Sequence, residues 1–557
     1  LSRSGGKILV DQLQIHGAEL AFCVPGESYL TVLDALHDAP IRLVTCRHEA
    51  AAANMAEAYG KLTGEPGICL VTRGPGATHA SIGVHTARQD STPLILLIGQ
   101  VGRDMLEREA FQEIDYRRMF GPIAKWVAQI DSVERIPELV ARAFTVATAG
   151  RPGPVVLALP EDMLADEAEV PDAKRYAQVQ THPGGAELAR LQELLAASDR
   201  PLVLAGGGGW SAQAGEDLAA FCEANQLPVA TSFRRQDYVD NDSPAFAGHV
   251  GVGVDPALAR RVADSDLLLV VGPRLGEMTT GGYTLVEPPL PKQTLVHVHA
   301  GAEELGRVYQ PDLAIHAGSP EFAAAVRDLR VGEPDRAAWV EEAHAEYLET
   351  LEPVPSPGDL NMSEVVKTLR ERLPRDTIVC NGAGNFAVWA HRFWAFGRYG
   401  TQLAPTSGAM GYGVPAAIAA KILHSGRTVV CFAGDGDFLM SGQELATATQ
   451  EGAAVLFLVV DNGMYGTIRM HQEREYPGRV VGTSLTNPDF AAYATSFGAH
   501  AELVERTEQF APALERALAA GRPALVHLRV DPEAITPQAT LTELRQGRAE
   551  AERTETA

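Results

Sequence analysis

Apolar, often β-branched runs of four to eight residues recur along the chain, at 67–71, 94–98, 155–159, 202–205, 267–271, 294–298, 428–432, 455–460 and 524–530. Most lead into a turn that carries Gly, Pro or Asp, and alanine-rich stretches at 49–61, 136–149, 215–225 and 443–452 lie between them. An apolar run without polar alternation predicts a strand buried on both faces. Such strands alternating with helices predict parallel sheets covered on either side, an α/β fold class. Two segments break the rhythm: 170–185 (VPDAKRYAQVQTHPGG), polar with Pro and Gly, and 352–359 (EPVPSPGD), dense in Pro and acid. Read as linkers, they divide the chain into three doubly wound parallel-sheet domains of like size, at 1–169, 186–345 and 360–540. Residues 541–557 form a tail whose last part, QGRAEAERTETA, has no bulky apolar side chain and is expected to fray.

Length and composition agree with this division. The 557 residues suggest three or four domains at roughly 150 residues each. With 46% apolar and 21% charged residues the composition is that of a globular protein. The formal charge of -24 sets up a field that repels phosphate backbones and anionic lipid, which excludes nucleic acid and membranes as general partners. An anionic small ligand then needs a local device to hold it. The six cysteines form neither a CxxC pair nor a zinc-spaced cluster, so reduced thiols in a cytoplasmic protein are expected. The first ten residues lack the apolar core of a signal peptide, and no apolar run approaches the roughly 20 residues that cross a bilayer.

The segment 429–472 carries the most chemistry. A buried strand (VVCFA) runs into Gly434-Asp435-Gly436-Asp437, and a second (AAVLFLVV) ends in Asp461-Asn462-Gly463. Adjacent parallel strands end on the same rim of a sheet, where ligands bind, so Asp435 and Asn462 are placed to face each other. A carboxylate, an amide oxygen and a nearby backbone carbonyl make a hard-oxygen set suited to Mg²⁺ and its phosphate ligands. Glycines at 434, 436 and 463 let backbone N–H groups come close to phosphate. A Glu at the start of a helix, Glu49 in Arg47-His48-Glu49-Ala50-Ala51-Ala52, ordinarily does no more than offset the helix dipole.

GDG followed after 24 residues by Asp-Asn resembles the diphosphate motif of the thiamine-diphosphate-dependent decarboxylase/carboligase family. That family usually has Asn-Asn; Asp461 departs at the first position, while the metal-binding second position, Asn462, is intact. The resemblance implies Asp435, Asn462 and the carbonyl of Met464 as metal ligands, with Gly466 and Thr467 near the phosphates. It makes Glu49 the carboxyl that hydrogen-bonds the coenzyme's pyrimidine ring, which promotes loss of the thiazolium proton. Ser407-Gly408-Ala409-Met410-Gly411-Tyr412-Gly413 resembles the loop that bends the coenzyme, with Met410 as wedge and the Gly408 carbonyl as acceptor. The three domains become pyrimidine-binding, central and diphosphate-binding. Active sites are implied between the first domain of one subunit and the third of another, in a homodimer or homotetramer.

Within the family the first third looks most like the acetolactate synthase large subunit, in Val24-Pro25-Gly26, in 71–77 (VTRGPGA), in Ala110-Phe111-Gln112-Glu113, in Ile123-Ala124-Lys125 and in 151–155 (RPGPV). Phe111, Gln112 and Lys125 sit where that family lines its site. Glu27 occupies a position that is acidic in pyruvate-decarboxylase-like relatives, where it relays a proton. Two departures concern the substrate. Met278 replaces a second Arg that grips the carboxylate of the second 2-oxoacid, and a Met cannot form that bidentate pair. His471 stands where the family has a pocket Trp. The implied activity is a thiamine-diphosphate- and Mg²⁺-dependent 2-oxoacid decarboxylase/carboligase. The alternatives are a flavin-linked 2-oxoacid oxidase, or a lyase or decarboxylase for another 2-oxo or 2-hydroxyacyl substrate. The strand-to-helix turn Gly206-Gly207-Gly208-Gly209 is a weak nucleotide fingerprint, since Gly-rich βα turns are common. Relatives bind FAD, ADP or nothing in the central domain; Arg274 slightly favours FAD.

Overall fold

The computed structural model describes residues 2–332 and 335–547. Three six-stranded sheets, each parallel throughout, follow one another along the chain. In the first, the spatial order is Arg42–Thr45, Leu20–Cys23, Gly67–Val71, Leu94–Gln100, Pro154–Pro160 and Trp126–Gln129. The third runs Gln402–Leu403, Ile378–Asn381, Val429–Gly434, Leu456–Asp461, Ala524–Arg529 and His500–Val504. Counted from each sheet's own first strand, both have the order second, first, third, fourth, sixth, fifth. The middle sheet differs: Phe246–His249, Val229–Thr231, Pro201–Ala205, Leu267–Val271, Thr294–His299, Leu313–His316. That is the third-second-first-fourth-fifth-sixth order associated with dinucleotide binding. Arg3–Ser4 pairs antiparallel with Glu167–Ala168 and ties the start of the first unit to its end.

Every sheet is buried on both faces, which is why its central strands lack alternation. On one face of the first sheet, Ile68, Leu70, Ile95 and Leu97 pack under the helices Gly5–Ile15 and Ile136–Thr148. On the other face, Cys69, Val71, Leu96 and Ile98 belong to a core shared with Cys431, Ala433, Phe457 and Val459 of the third sheet. Two small-residue helices bridge them, Glu49–Thr63 (EAAAANMAEAYGKLT) and Gly413–Leu423 (GVPAAIAAKIL). Alanine favours helix and has little bulk, so the neighbouring backbones approach closely. A Cβ at Gly83 would lie 2.4 Å from that of Ala53. The helix Glu49–Thr63 opens on the His48 ring, whose Nδ1 accepts from Ala50 N–H, and closes on Gly64 at φ +75°.

Residues 170–184 and 352–359 contain no helix or strand. Within the segment read as a tail, residues 541–547 are helical; Leu541 is buried and Arg545 pairs with buried Glu473 at 2.7 Å. The expected fraying concerns 546–557, of which 548–557 lie outside the described residues. No helix among the described residues is long and apolar enough to cross a membrane.

Candidate active site

The carboxyl ends of the third sheet's strands form one rim. After Val429–Gly434 the chain turns at once into the short helix Asp435–Phe438; after Leu456–Asp461 it passes through 462–465 into the helix Gly466–Glu475. A cavity of about 250 Å³ opens there. Gly434, Asp435, Gly436, Asp437, Asn462, Met464, Gly466 and Thr467 line it, with Gly408 and Met410 from the loop before Gly413–Leu423. All ten residues read from the C-terminal third thus share one cavity, although the chain separates them by up to 59 positions.

Buried Asp435 is the electrostatic centre of this rim. Burial pushes its carboxyl up to about 6, against a 2.7 Å hydrogen bond from Asn487 Nδ2 to Oδ2. The same amide nitrogen donates to Asp461 Oδ1 at 2.8 Å, and the other oxygen of Asp461 meets His527 Nε2 at 2.8 Å. Asp461, at the position that departs from the family pattern, is therefore the anchor for the group that holds Asp435. Asp437 plays a different part from its neighbour: Oδ1 accepts from the N–H groups of Gly411 and Ala383, at 2.8 and 3.2 Å, tying two cavity loops together. Its burial raises the carboxyl to about 7.

Backbone bonds set the 462–465 turn. Gly463 N–H donates to Asp461 Oδ1, Met464 N–H to Asn462 Oδ1, Tyr465 N–H to the Thr483 carbonyl, and Leu485 N–H to the Gly463 carbonyl. The Thr467 hydroxyl accepts from Asn385 N–H and donates to Asn385 Oδ1. Asn385, Asn487 and His527 escaped the sequence reading. Only His527 left a trace there, as an imidazole in the run 524–530, where the other polar residue, Arg529, is exposed.

A second rim is built by the first sheet. Glu49 starts its helix just beyond Arg42–Thr45, and a Cβ on Gly76 would lie 3.4 Å from its Oε1. Gln112 has φ +66°, a conformation that costs a non-glycine residue about 1–3 kcal/mol and is kept mainly at functional sites. Its Cβ would be only 2.7 Å from one on Gly74, so the glycine lets this loop close. Phe111 is 74% exposed, and Glu27 keeps 68% of its side chain exposed while pairing with Arg73 at 3.4 Å. Arg73 also binds Glu161 at 3.0 Å, so Glu27 sits in a surface charge cluster. Lys125 lies elsewhere: its Nζ donates to the carbonyls of Val146 and Ala149 at the end of the helix Ile136–Thr148. None of Glu27, Glu49, Phe111 and Gln112 lines the C-terminal cavity of its own chain.

A larger cavity, about 650 Å³, lies at the junction of the three units and shares Ala383, Gly384, Asn385, Gly408 and Thr467 with the first. Arg274 and Met278 are on its wall, with Gly207 from the glycine turn. Arg274 donates to the Gln89 carbonyl at 3.0 Å.

Comparison with known proteins decides what the two rims belong to. Residues 3–119 match the N-terminal TPP binding domain of thiamine pyrophosphate enzymes, 188–326 their central domain, and 382–528 their C-terminal TPP binding domain. The acetolactate synthase isozyme 2 large subunit of Escherichia coli (strain K12) is 30% identical over 533 residues, 95% of this chain and 96% of the relative. The acetolactate synthase large subunits of Parasynechococcus marenigrum and Corynebacterium glutamicum are each 32% identical, over 95% and 92% of this chain and 87% and 84% of their own lengths. The chain belongs to the thiamine-diphosphate-dependent enzymes. It resembles acetolactate synthase large subunits over nearly its whole length.

In this thiamine-diphosphate enzyme the matched N-terminal segment carries the Glu49 rim and the matched C-terminal segment carries the Asp435 cavity. Close backbone approach is built into the latter: a Cβ on Gly436 would fall 2.5 Å from the Tyr465 ring. Gly436→Ala is expected to push Tyr465 and the adjoining Met464 turn aside. Thermal melts should show a loss of about 1–3 kcal/mol, the usual cost of overpacking, and calorimetry should show weakened uptake of thiamine diphosphate.

Proposed function

We propose that this chain is a Mg²⁺- and thiamine-diphosphate-dependent 2-oxoacid decarboxylase/carboligase, acetolactate-synthase-like, working as a homodimer or homotetramer in the cytoplasm. The buried Asp435 carboxylate at the mouth of a glycine-lined cavity is the observation that carries the reading. A carboxyl raised to about 6 by burial calls for a cation, and the oxygens of Asp435, Asn462 and Met464 are of the hard type that Mg²⁺ takes. Those three would hold the metal, with Gly436, Gly466 and Thr467 against the diphosphate. Met410 and Gly408 would support the rings from one wall. When bound, the coenzyme supplies the nucleophilic carbon and the electron sink for decarboxylation.

The chain's own contribution is to hold that group and to move a proton. Glu49 is the carboxyl suited to proton exchange, and its absence from the cavity of its own chain supports a site completed by a second copy. Exposed Phe111 and half-buried Gln112, on the same rim, would close over that site. The six cysteines are buried and unpaired, which suits a reducing cytoplasm. Titration with thiamine diphosphate and Mg²⁺, followed by a 2-oxoacid panel scored for CO₂ and acyloin, tests the proposal. Absence of coenzyme uptake at saturating metal overturns it.

The 650 Å³ cavity favours a second reading, flavin-linked oxidation. It adjoins a sheet of dinucleotide-binding strand order, and the buried Nε of Arg234 on its wall has no partner among the described residues. Under this reading the purified protein is yellow, with a flavin spectrum that 2-oxoacid bleaches anaerobically. A colourless protein that takes up no added FAD eliminates it.

A further inference from the structure

The Glu49 rim contains two histidines that the proposed chemistry does not use. Glu49 Oε2 lies 2.9 Å from Nδ1 of His79, which belongs to the next helix, Pro75–Asp90. The His79 ring stacks on His48, with centroids 4.5 Å apart and planes 27° from parallel. His48 is itself fixed, because its Nδ1 accepts Ala50 N–H at 3.1 Å as the N-cap of the Glu49 helix. That bond requires an unprotonated Nδ1. Burial and the neighbouring His79 also lower the proton affinity of His48, so it is a neutral platform. His79 is the ring left free to turn a nitrogen to the carboxylate. Glu49 is 14% exposed and His79 51% exposed, so the imidazole lies over the open side of an otherwise enclosed acid.

One ligand atom from each of His48, Glu49 and His79 falls within 4.8 Å of the other two, a spacing that a metal ion could bridge. The stacking argues against it. Ring lone pairs lie in the ring plane, and those of two nearly parallel rings run side by side rather than meet at one point. One nitrogen of His48 is also occupied by the helix cap. A proton between His79 and Glu49 accounts for the arrangement without a metal.

We infer that His79 is a positioning residue for Glu49: its Nδ1–H holds Oε2 and so aims Oε1 away from the helix, towards the group with which Glu49 exchanges a proton. The inference rests on the proposed role of Glu49. The carboxylate can rotate about its terminal bond, a broad and weakly restrained torsion, and one donor in line with Oε2 removes that freedom. Gly76, one turn before His79 on the same helix, brings its backbone close to Oε1. Misplacement of a catalytic group by about 1 Å can cost a hundredfold in rate, which sets the scale of the effect.

Two measurements test it on the full-length protein. The first needs neither coenzyme nor turnover: ¹⁵N NMR of histidine-labelled enzyme reads which ring nitrogen carries the proton. His79 is expected as the Nδ1–H tautomer, and Glu49→Gln is expected to shift its Nδ1 signal while keeping that tautomer, because a neutral amide oxygen replaces the charged acceptor. An Nε2–H tautomer in the wild type overturns the inference. The second compares His79→Phe, which loses the donor, with His79→Asn, which keeps one. His79→Phe should lower kcat by about ten- to a hundredfold with substrate KM and calorimetric coenzyme affinity near wild type, and His79→Asn should recover most of the loss. Unchanged kcat in His79→Phe, or loss of coenzyme affinity along with kcat, overturns it. A wild type that binds no coenzyme would instead overturn the proposed function, while the tautomer would still report on the His79–Glu49 bond.

Discussion

Glu49→Gln is expected to reduce 2-oxoacid turnover by about 10²–10⁴-fold, the range for removing a general acid–base group, while thiamine diphosphate still binds with Mg²⁺. The amide keeps the length of the side chain and retains an oxygen that can accept from His79, so the rim should keep its shape. What the amide loses is the ability to give and take a proton. The substitution therefore separates proton exchange from binding. Steady-state rates beside a calorimetric titration provide the check. Equal rates in the two proteins would remove Glu49 from the chemistry.

Asp435→Asn should act on the other half of the site. It removes the buried negative charge that calls for a cation but keeps an oxygen for Asn487 Nδ2. Coenzyme affinity in Mg²⁺ should fall by more than about a hundredfold, since even outer partners of metal ligands are worth ten- to a hundredfold. The wild type should show the same dependence through pH. Its carboxyl, raised to about 6, must lose its proton before the metal binds. Affinity is therefore full above that value and falls about tenfold between pH 7 and pH 5. Flat affinity across that window would show that Asp435 is not a ligand.

The two variants together test the assembly. If Glu49 and Asp435 of different chains serve one site, a mixed dimer of Glu49→Gln and Asp435→Asn chains has one intact site and one doubly defective site. Equal mixing after dissociation should restore about a quarter of the wild-type activity. If both residues served a site within one chain, mixing would restore nothing.

Much of the fold was legible in the apolar runs, and the unread parts have a common cause. Gly67–Val71, Leu267–Val271 and Leu456–Asp461 are interior strands buried along their whole length, so their side chains are apolar in succession. Leu313–His316 and His500–Val504 are edge strands, partly open to solvent, and their mixed residues carry no such run. Ile378–Asn381 is interior, but only its first three residues are apolar, too short a run to stand out. The segment 541–547 looked like tail because its anchors are sparse: Leu541 in the core, and Arg545 on a glutamate 72 positions away.

The site divides in the same way. Asp435, Asn462 and the glycines could be read because backbone turns at the ends of adjacent strands require particular residues at short, fixed offsets. Asn487 and His527 could not, since an anchoring hydrogen bond demands only a suitable atom at the right point in space. The sequence by itself determined three α/β units, the chemical type of the cavity and the acid at the head of the Ala-rich helix. Only the tertiary structure decided that Glu49 and Asp435 lie on separate rims of one chain, that Glu27 belongs to a surface charge cluster, and that His79 faces Glu49. Those relations depend on how helices and sheets pack across long separations, where small alanine and glycine faces set the approach and no local pattern records the partner.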